Sequence, residues 1–458
     1  MNATVSLIDR TLRRFRNAWR SDGSWQPDPD LSDEDRSHLE REVRAILEGV
    51  GGAVAARSRA AAIGEVYLAL NERGRRRFFL LLNEVFDVDD NRVEEAIEAW
   101  RYASAAGDAA FARRRLRAAL TPPRTELLRH FNSLEQGVKF LVDMRADLRR
   151  MLKETPDLRV LDEDLRELLH AWFDVGFLKL RRIDWSSPAA LLEKLVDYEA
   201  VHEIRSWSDL KNRLDSDRRC YAFFHPSMRD EPLIFVEVAL VDGLASNVQE
   251  LLDETAPAMN PDEADTAIFY SISNCQKGLV GVSLGEFLIK RVVAALRADF
   301  PGLRHYATLS PIPGFMNWLR HVLKDAPDEE LAETLEALHQ VAGAGDDEAL
   351  LTLLSKGRWV RDEQLAETLK PLLMRLCARY LLTMRDGRAI DPVAHFHLSN
   401  GARIERINWL GDRSARGMRQ SAGMMVNYRY ELKSIDRRYN DYTLKGRATA
   451  ASAVSRLV

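Results

Sequence analysis

The stretch TAIFYSISNCQKGLVGVSLGEFLIKRVV, residues 266–293, predicts a strand, a glycine-rich turn and a helix in direct succession. The apolar segment 266–273 is typical of a strand, and an apolar stripe at every fourth position from 284 to 296 predicts the helix. Three glycines, Gly278, Gly281 and Gly285, fall in the turn. Glycine is costly in front of a helix unless something must come close to the backbone.

Two interpretations of this turn are open. The free N–H groups at the start of a helix bind phosphate, glycines let a diphosphate approach them, and Ser283 adds a hydroxyl donor. Alternatively, the glycines only allow the strand and the helix to pack closely. The turn is not a Walker A loop, because no Gly-Lys-Ser/Thr follows it. The spacing of Gln276, Gly281 and Gly285 resembles the Q/R-x-x-G-x-G/A loop of the GNAT N-acetyltransferase fold, where that loop holds the pyrophosphate of coenzyme A.

Composition and charge exclude several classes of protein. The length of 458 residues favours two domains, and a net charge of -4 provides no positive field for nucleic acid. Three widely spaced cysteines predict a reducing compartment, the cytoplasm, without a disulfide framework. No apolar run approaches the ~20 residues of a membrane-spanning helix. The Arg-rich residues 1–20 have features of a mitochondrial transit peptide, but Asp9 interrupts their positive face, so an ordinary helix or tail is favoured.

The first half of the chain has helical periodicity. Apolar residues recur every three or four positions over residues 31–172, which predicts an all-helical bundle for residues 1–172. Ser32 to Asp35 has the form of a capping box, and residues 57–86 and 124–154 each suggest one continuous helical segment. No catalytic set clusters in this half. The predicted role is therefore packing or oligomerisation.

Residues 173–458 predict an α+β domain with a mixed, largely antiparallel sheet and flanking helices. The segments 393–398 and 402–407 flank Asn400-Gly401, a pair typical of a tight turn, and therefore predict a hairpin. Further strands are expected at 221–225, 233–240, 266–273 and 305–309, and a helical insertion at about 327–384. The fold class is thus a multi-domain α and α+β protein.

Several side chains of the second half are candidates for chemistry. Pro311 makes the backbone at Ser310 extended, so the hydroxyl is expected at a fixed spot after a strand, although an incidental serine in a rigid loop is the commoner case. His395 and His397 share one face of the predicted strand. For them the alternatives are metal binding, proton donation near neutral pH and simple packing. Tyr428 and Tyr430 each offer a phenolic donor.

Long segments of residues 185–430 resemble the malonyl-CoA decarboxylases. These segments are FFHPSMRDEPLIFVEVAL, FYSISNCQKGLVGVSLGEFLIKRVV, LSPIPGF and FHLSNGARIERINWLGDRSARGMRQSAGMMVNYRY. The resemblance implies an N-terminal helical domain and an acetyltransferase-like catalytic domain, with Ser310 and His397 as the catalytic pair and Tyr430 beside them. The family has asparagine where this chain has His395, which leaves a secondary role for His395 open. The resemblance also implies that the coenzyme A pyrophosphate lies along Val280, Gly281, Val282, Ser283, Leu284, Gly285 and Glu286.

The reaction that the resemblance implies converts malonyl-CoA to acetyl-CoA and CO₂ through a thioester enolate, which a histidine protonates. A thioester is itself an electron sink, so we expect neither a metal nor another cofactor, with coenzyme A as part of the substrate. We expect a homo-oligomer, a dimer or tetramer, and no nucleic-acid or membrane partner. The alternatives are an acyl-CoA-dependent N-acetyltransferase, which needs a path for an amine, and a non-enzymatic malonyl-CoA sensor.

Overall fold

A computed structural model of the chain describes residues 27–105, 107, 109–282 and 288–458. The chain divides into two compact units. The first contains the chain through Phe177 with His225–Glu231 and Gln276–Ser283, and the second contains Leu178–Phe224, Pro232–Cys275 and Leu284–Val458. The transit-like residues 1–20 and residues 283–286 of the predicted coenzyme A loop lie outside the described residues. None of the described helices is long and apolar enough to cross a membrane.

The first unit is helical, as the apolar periodicity predicts. Its described helices are α1 (Asp33–Leu47), α2 (Gly52–Ala69), α3 (Glu72–Val85), α4 (Asp90–Ala105), α5 (Ala110–Ala119), α6 (Arg124–Asn132), α7 (Gly137–Met151) and α8 (Arg159–Trp172), with single 3-10 turns at Pro156–Leu158 and Val175–Phe177. The predicted cap at the first helix is confirmed, because Ser32 Oγ accepts a hydrogen bond from the Asp35 N–H at 3.2 Å.

Two segments that were expected to be continuous are each divided into two helices. Between α2 and α3, the Asn71 side chain accepts a hydrogen bond from the Gly74 N–H at 2.9 Å and so caps a new helix. Between α6 and α7, Gln136 has a φ of 59°, a left-handed conformation that a continuous right-handed helix cannot contain. The apolar period runs through both breaks, which is why it suggests longer helices.

The second unit contains a mixed sheet, as predicted, and this sheet has eight strands. The strands are β1 (Lys179–Ile183), β2 (Arg218–Phe224), β3 (Pro232–Val241), β4 (Thr266–Asn274), β5 (His305–Thr308), β6 (Ser310–Pro311), β9 (Arg403–Asn408) and β10 (Met425–Arg429), and β7 (Met384–Arg385) pairs with β8 (Arg388–Ala389) in a separate ribbon. The order is β1-β2-β3-β4-β5-β10-β6, and β9 also pairs with β10. Every pair in the sheet is antiparallel except β4 with β5.

Helices flank this sheet, and three of them form the predicted insertion. The described helices are α9 (Ala189–Tyr198), α10 (Trp207–Asn212), α11 (Val248–Leu251), α12 (Leu288–Asp299), α13 (Phe315–Lys324), α14 (Glu329–Ala342), α15 (Asp347–Lys356), α16 (Glu363–Leu382), α17 (Pro392–Ser399), α18 (Ala415–Ser421), α19 (Ile435–Lys445) and α20 (Ser452–Ser455), with 3-10 turns at Pro226–Met228, Pro261–Glu263, Lys277–Leu279 and Arg358–Arg361. The insertion consists of α14, α15 and α16.

Apolar clusters join helices to the sheet. One cluster packs α9 and α10 on the first three strands through Leu195, Leu210, Ile183, Ala222 and Phe235, all buried. A second packs α11 beside the middle of the sheet through Val248, Leu251, Ile268, Ala307 and Met425. Burying a large apolar side chain of this kind stabilises a fold by about 1.5–3 kcal/mol. The second cluster holds β5 and β10, the strands next to the candidate active-site residues.

The predicted hairpin at 393–407 is wrong in its first segment and confirmed in its second. Its second segment is strand β9, but its first segment is helix α17, which begins after Asp391 and has Pro392 in its first turn. The Asp391 carboxylate caps that helix by accepting hydrogen bonds from the N–H groups of Val393 at 3.0 Å and Ala394 at 2.8 Å. Gly401, at a φ of 79°, lies just past the helix end rather than in a tight hairpin turn.

Candidate active site

Ser310 lies where the chain passes from one strand of the sheet to another. Strand β5 ends at Thr308, and the short β6 then pairs with β10, with Ser310 opposite Val426 and Pro311 opposite Met425. The chain between the two strands stays attached to the sheet, since the Leu309 N–H donates to the carbonyl of Phe269 at 3.0 Å. Ser310 is therefore held on the sheet and is buried, with 6% of its surface exposed.

The structure brings the three sequence-predicted side chains Ser310, His397 and Tyr430 together. His397 Nε2 lies 3.2 Å from Ser310 Oγ, and His397 Nδ1 lies 2.8 Å from the Tyr430 hydroxyl. The histidine comes from α17, and the tyrosine directly follows β10, where its N–H donates to the carbonyl of Tyr306 at 2.8 Å. All three side chains are buried. Each ring nitrogen of His397 thus has a hydroxyl partner.

Aromatic neighbours fix the plane of the His397 ring. The Tyr428 ring stacks on it with centroids 4.5 Å apart and an angle of 26° between the planes, and the Phe396 ring meets it edge-on at 5.0 Å. Burial among these groups lowers the pKa of His397 to about 3. At neutral pH the imidazole is therefore uncharged, with one nitrogen donating and the other accepting. Burial also raises the pKa of Tyr430, so its phenol keeps its proton.

His395 does not join His397. Two residues along a helix point roughly 200° apart, whereas two residues along a strand share a face. His395 Nδ1 instead lies 2.7 Å from the hydroxyl of Tyr442. The prediction that the two histidines share a face is therefore wrong. Within the described part of the chain, no three His, Cys, Asp or Glu side chains cluster in a way that could hold a metal ion.

The described part of the glycine-rich turn, residues 276–282, packs closely on helix α7. A Cβ at Gly278 would meet the carbonyl oxygen of Val142 at 1.8 Å, so glycine is required by close backbone approach. Gly281 has a φ of 78°, which only glycine adopts readily. Among the three described residues of the predicted coenzyme A loop, Val280, Gly281 and Val282, the side chain of Val282 is buried and that of Val280 is half-exposed.

Arg145 fixes the backbone of this turn from within the same unit. The side chain is fully buried, and its Nη1 donates to the carbonyls of Gly278 at 2.7 Å and Val280 at 2.9 Å. Its Nε and Nη2 form a two-pronged ion pair with the carboxylate of Asp162, at 2.9 and 3.2 Å. The described turn therefore fits both interpretations of the glycines, phosphate binding and close packing. The contacts with α7 hold residues 278–280 in one conformation.

Sequence reasoning missed Thr308, and it considered Tyr428 only as a phenolic donor and not as a ring that packs on His397. Thr308 Oγ1 lies 2.8 Å from Ser310 Oγ, and Tyr428 supplies the ring that stacks on His397. In both cases the sequence contains a signal for the position, because side chains two residues apart along an extended chain lie on the same side. Thr308 stands two residues before Ser310, and Tyr428 two residues before Tyr430, so each pair shares a side of the chain.

Comparison with known proteins supports the resemblance seen in the sequence. A family model described as the malonyl-CoA decarboxylase N-terminal domain matches residues 86–173, and one described as the malonyl-CoA decarboxylase C-terminal domain matches residues 176–458. The mitochondrial malonyl-CoA decarboxylase of Rattus norvegicus is 44% identical over 332 residues, which cover 70% of this chain and 68% of the relative. That of Anser anser anser is 42% identical over 381 residues, covering 79% and 76%.

Solved structures agree with these matches. The crystal structure of malonyl-CoA decarboxylase from Rhodopseudomonas palustris is similar with a TM-score of 0.84 and 41% identity, covering 92% of this chain and 99% of that one. The enzyme from Agrobacterium vitis gives a TM-score of 0.82 and 40% identity, with the same coverage. Sequence matches over both family domains and matching structures over nine-tenths of the chain lead to one conclusion: the chain belongs to the malonyl-CoA decarboxylase family.

Proposed function

We propose that Ser310, His397 and Tyr430 form the centre at which malonyl-CoA loses CO₂ and becomes acetyl-CoA. The observation that carries this proposal is the buried contact of His397 with both hydroxyls, 3.2 Å from Ser310 Oγ and 2.8 Å from the Tyr430 oxygen. A neutral, desolvated imidazole between two hydroxyls suits a reaction that must deliver one proton and otherwise exclude water.

The chemistry has two parts. When the bond between the carboxylate and the α-carbon breaks, its electron pair forms a thioester enolate, and CO₂ leaves. The α-carbon then takes one proton, which gives acetyl-CoA. The enzyme must therefore orient the carboxylate, stabilise the charge on the enolate oxygen and supply the proton.

His397 is the proton donor in this proposal. Its pKa of about 3 means that it acts as a neutral acid, which gives its Nε2 proton to the strongly basic enolate carbon. The negative charge left on the ring is stabilised at Nδ1, where the Tyr430 hydroxyl lies within hydrogen-bond distance. A proton taken up from solvent then returns to Nε2, so the net reaction consumes one proton for each CO₂ released. Tyr430 keeps its own proton throughout, in accord with its raised pKa.

Ser310 orients the malonyl carboxylate rather than acting as a base. A serine hydroxyl is a weak base, and loss of CO₂ from an ionised carboxylate needs none. A hydroxyl held on the sheet beside His397 can donate to one carboxylate oxygen and hold the breaking bond across the plane of the thioester carbonyl. We further propose that residues 280–286 lie along the coenzyme A pyrophosphate. Gly281 supports that role, because it has no side chain to cover its backbone and its φ of 78° is one that glycine adopts readily.

We expect catalysis without a metal or an added cofactor. Purified full-length protein, treated with EDTA and 1,10-phenanthroline, should convert malonyl-CoA to equal amounts of acetyl-CoA and CO₂ at the rate of untreated protein. The products are measured by chromatography and by release of labelled CO₂. Activity that disappears on chelation and returns with Zn²⁺ or Mg²⁺ would contradict this. Free coenzyme A formed only with an added amine would indicate an acetyltransferase, and binding without CO₂ would indicate a sensor.

Two further features of the protein belong to this proposal. A reducing compartment, the cytoplasm, is supported by the three free cysteines, all buried.

A homo-oligomer is supported by large apolar side chains on the surface of the helical unit, where Val54 is 85%, Tyr102 82% and Phe111 66% exposed. Sedimentation of the purified chain tests the assembly, and a monomer at micromolar concentration would refute it.

A further inference from the structure

Thr308 is held rigidly next to the proposed centre. It is fully buried at the end of β5, and its carbonyl accepts a hydrogen bond from Asn427 Nδ2 at 2.7 Å. Its hydroxyl oxygen accepts from the backbone N–H of Tyr428 at 3.1 Å and lies 2.8 Å from Ser310 Oγ. Because the amide can only donate, one lone pair of the threonine oxygen is always occupied, and the hydroxyl has a fixed position.

Thr308 thereby becomes the first of four groups in one chain of hydrogen bonds. The chain runs from Thr308 Oγ1 to Ser310 Oγ at 2.8 Å, to His397 Nε2 at 3.2 Å, and from His397 Nδ1 to the Tyr430 hydroxyl at 2.8 Å. Each contact holds one proton. The direction of the first hydrogen bond therefore decides which nitrogen of the neutral imidazole carries its proton.

We propose that Thr308 is a positioning residue that sets the tautomer of His397. Its oxygen accepts the Ser310 proton, so the Ser310 oxygen accepts from His397 Nε2–H, and Nδ1 accepts from the Tyr430 hydroxyl. In the free enzyme the donor proton is then on Nε2, next to Ser310. When malonyl-CoA binds, the single Ser310 proton turns from Thr308 to the carboxylate, and Nε2 keeps its proton for the α-carbon. This inference rests on the proposed function, because it matters for turnover only if His397 delivers that proton.

The far end of the chain supports this direction. Tyr430 is buried and keeps its phenolic proton, and within the described residues Nδ1 of His397 is the one acceptor the structure places at its hydroxyl. Donation to Nδ1 satisfies that proton. The first contact agrees, because its geometry makes the Ser310 hydroxyl the donor and Thr308 Oγ1 the acceptor. In the opposite direction Thr308 donates to Ser310, Ser310 donates to Nε2, and the imidazole proton moves to Nδ1.

Two substitutions at Thr308 separate the hydroxyl from the packing. Thr308→Val keeps the branched shape but removes the oxygen, so in the free enzyme Ser310 can donate only toward Nε2 and the imidazole proton moves to Nδ1 before substrate binds. We expect kcat to fall about 10²-fold, as for a histidine held in the wrong tautomer, with little change in KM. Thr308→Ser keeps the oxygen and loses only a methyl group, and we expect its kcat within about threefold of the unsubstituted chain.

The tautomer itself is read by nuclear magnetic resonance of the full-length protein with ¹⁵N-labelled histidine side chains. The His397 signals are identified by their loss in His397→Asn. We expect Nε2–H in the unsubstituted chain and in Thr308→Ser, and Nδ1–H in Thr308→Val. Nδ1–H in the unsubstituted chain, or full turnover in Thr308→Val, would overturn the inference, as would equal losses in Thr308→Val and Thr308→Ser.

This experiment distinguishes failure of the inference from failure of the proposed function. The tautomer is measured without substrate and stands whether or not malonyl-CoA is turned over. If His397→Asn keeps full activity, the proposed function fails, whatever the tautomer. If Thr308→Val does not fold, the ¹⁵N signals of the unsubstituted chain and of Thr308→Ser still decide the direction of the first hydrogen bond.

Discussion

Replacing His397 by asparagine is expected to lower kcat for malonyl-CoA decarboxylation by about 10²–10⁴-fold, the usual contribution of a positioned general acid. Asparagine is neutral, like the buried imidazole, so the substitution removes no charge from the site. It also retains an N–H donor, but that group cannot give up its proton to a carbon. The measurement is steady-state formation of acetyl-CoA and CO₂, with substrate binding followed separately by calorimetry, where we expect little change.

His395 provides the matched control for this variant. It is a histidine on the same helix, but its ring faces Tyr442 and makes no contact with Ser310 or Tyr430 in the structure. His395→Asn should keep kcat within about threefold. Equal losses in His395→Asn and His397→Asn would contradict the proposed centre, because helix damage rather than proton transfer would then explain both.

The pH dependence of the unsubstituted enzyme gives a second check on His397. Its pKa is lowered to about 3 by burial, so the imidazole stays neutral above that pH in the free enzyme. The ratio kcat/KM should therefore show no acid limb with a midpoint near 6.5, the ordinary value for histidine. An acid limb near 6.5 that disappears in His397→Asn would contradict this expectation. It would show that His397 titrates like an ordinary, solvent-exposed histidine.

The helix that carries His397 shows why local pattern reasoning failed there. Residues 393–398 alternate in a way that suits a strand, and Asn400-Gly401 suits a hairpin turn. Asp391 followed by Pro392 is, however, a start signal for a helix, and a glycine after the last turn is an end signal. The capping hydrogen bonds of Asp391 favour the helix. The difference between a strand and a helix matters for the site. On a strand His395 and His397 would share a face, whereas on the helix they point in different directions.

The proximity of the proposed catalytic side chains could not be predicted from local sequence. Ser310 and Tyr430 lie on segments far apart in the chain, and they meet because β10 lies between β5 and β6 in the sheet. Strand order depends on packing across the whole sheet, which no short pattern records. The residue types could be identified from the sequence, which shows a serine before a proline and two tyrosines two positions apart. Their roles came from the family resemblance.

The glycine-rich turn illustrates the same limit. The sequence shows that the backbone near Gly278 must be approached closely, but it does not show by what. In the structure the approaching atom is the carbonyl oxygen of Val142, on a helix far upstream. Arg145, one helical turn further along, fixes the same turn. A single arginine in an amphipathic helix gives no sign that it will bind two distant carbonyls.

Arg145→Met is therefore expected to destabilise the helical unit by about 3–5 kcal/mol, the cost of breaking a buried ion pair by removing one partner. Methionine fills most of the space of the arginine stem but leaves the Asp162 carboxylate without its two-pronged partner. It also leaves the carbonyls of Gly278 and Val280 without their donor. Urea unfolding followed by circular dichroism measures the loss of stability. If residues 280–286 hold the coenzyme A pyrophosphate, KM for malonyl-CoA should rise as well.

Arg149→Met is the matched control, because it removes a second arginine from the same carboxylate and the same helix. Arg149 Nη1 lies 3.5 Å from Asp162 Oδ2, and its side chain is 34% exposed, against 1% for that of Arg145. A partly exposed pair at that distance contributes about 1 kcal/mol or less, so this variant should unfold near the unsubstituted chain and keep its KM. Equal destabilisation by the two variants would show that Asp162 alone is the sensitive element. Destabilisation by Arg145→Met with an unchanged KM would separate the packing of the turn from binding of the substrate, and only the first would then be a function of Arg145.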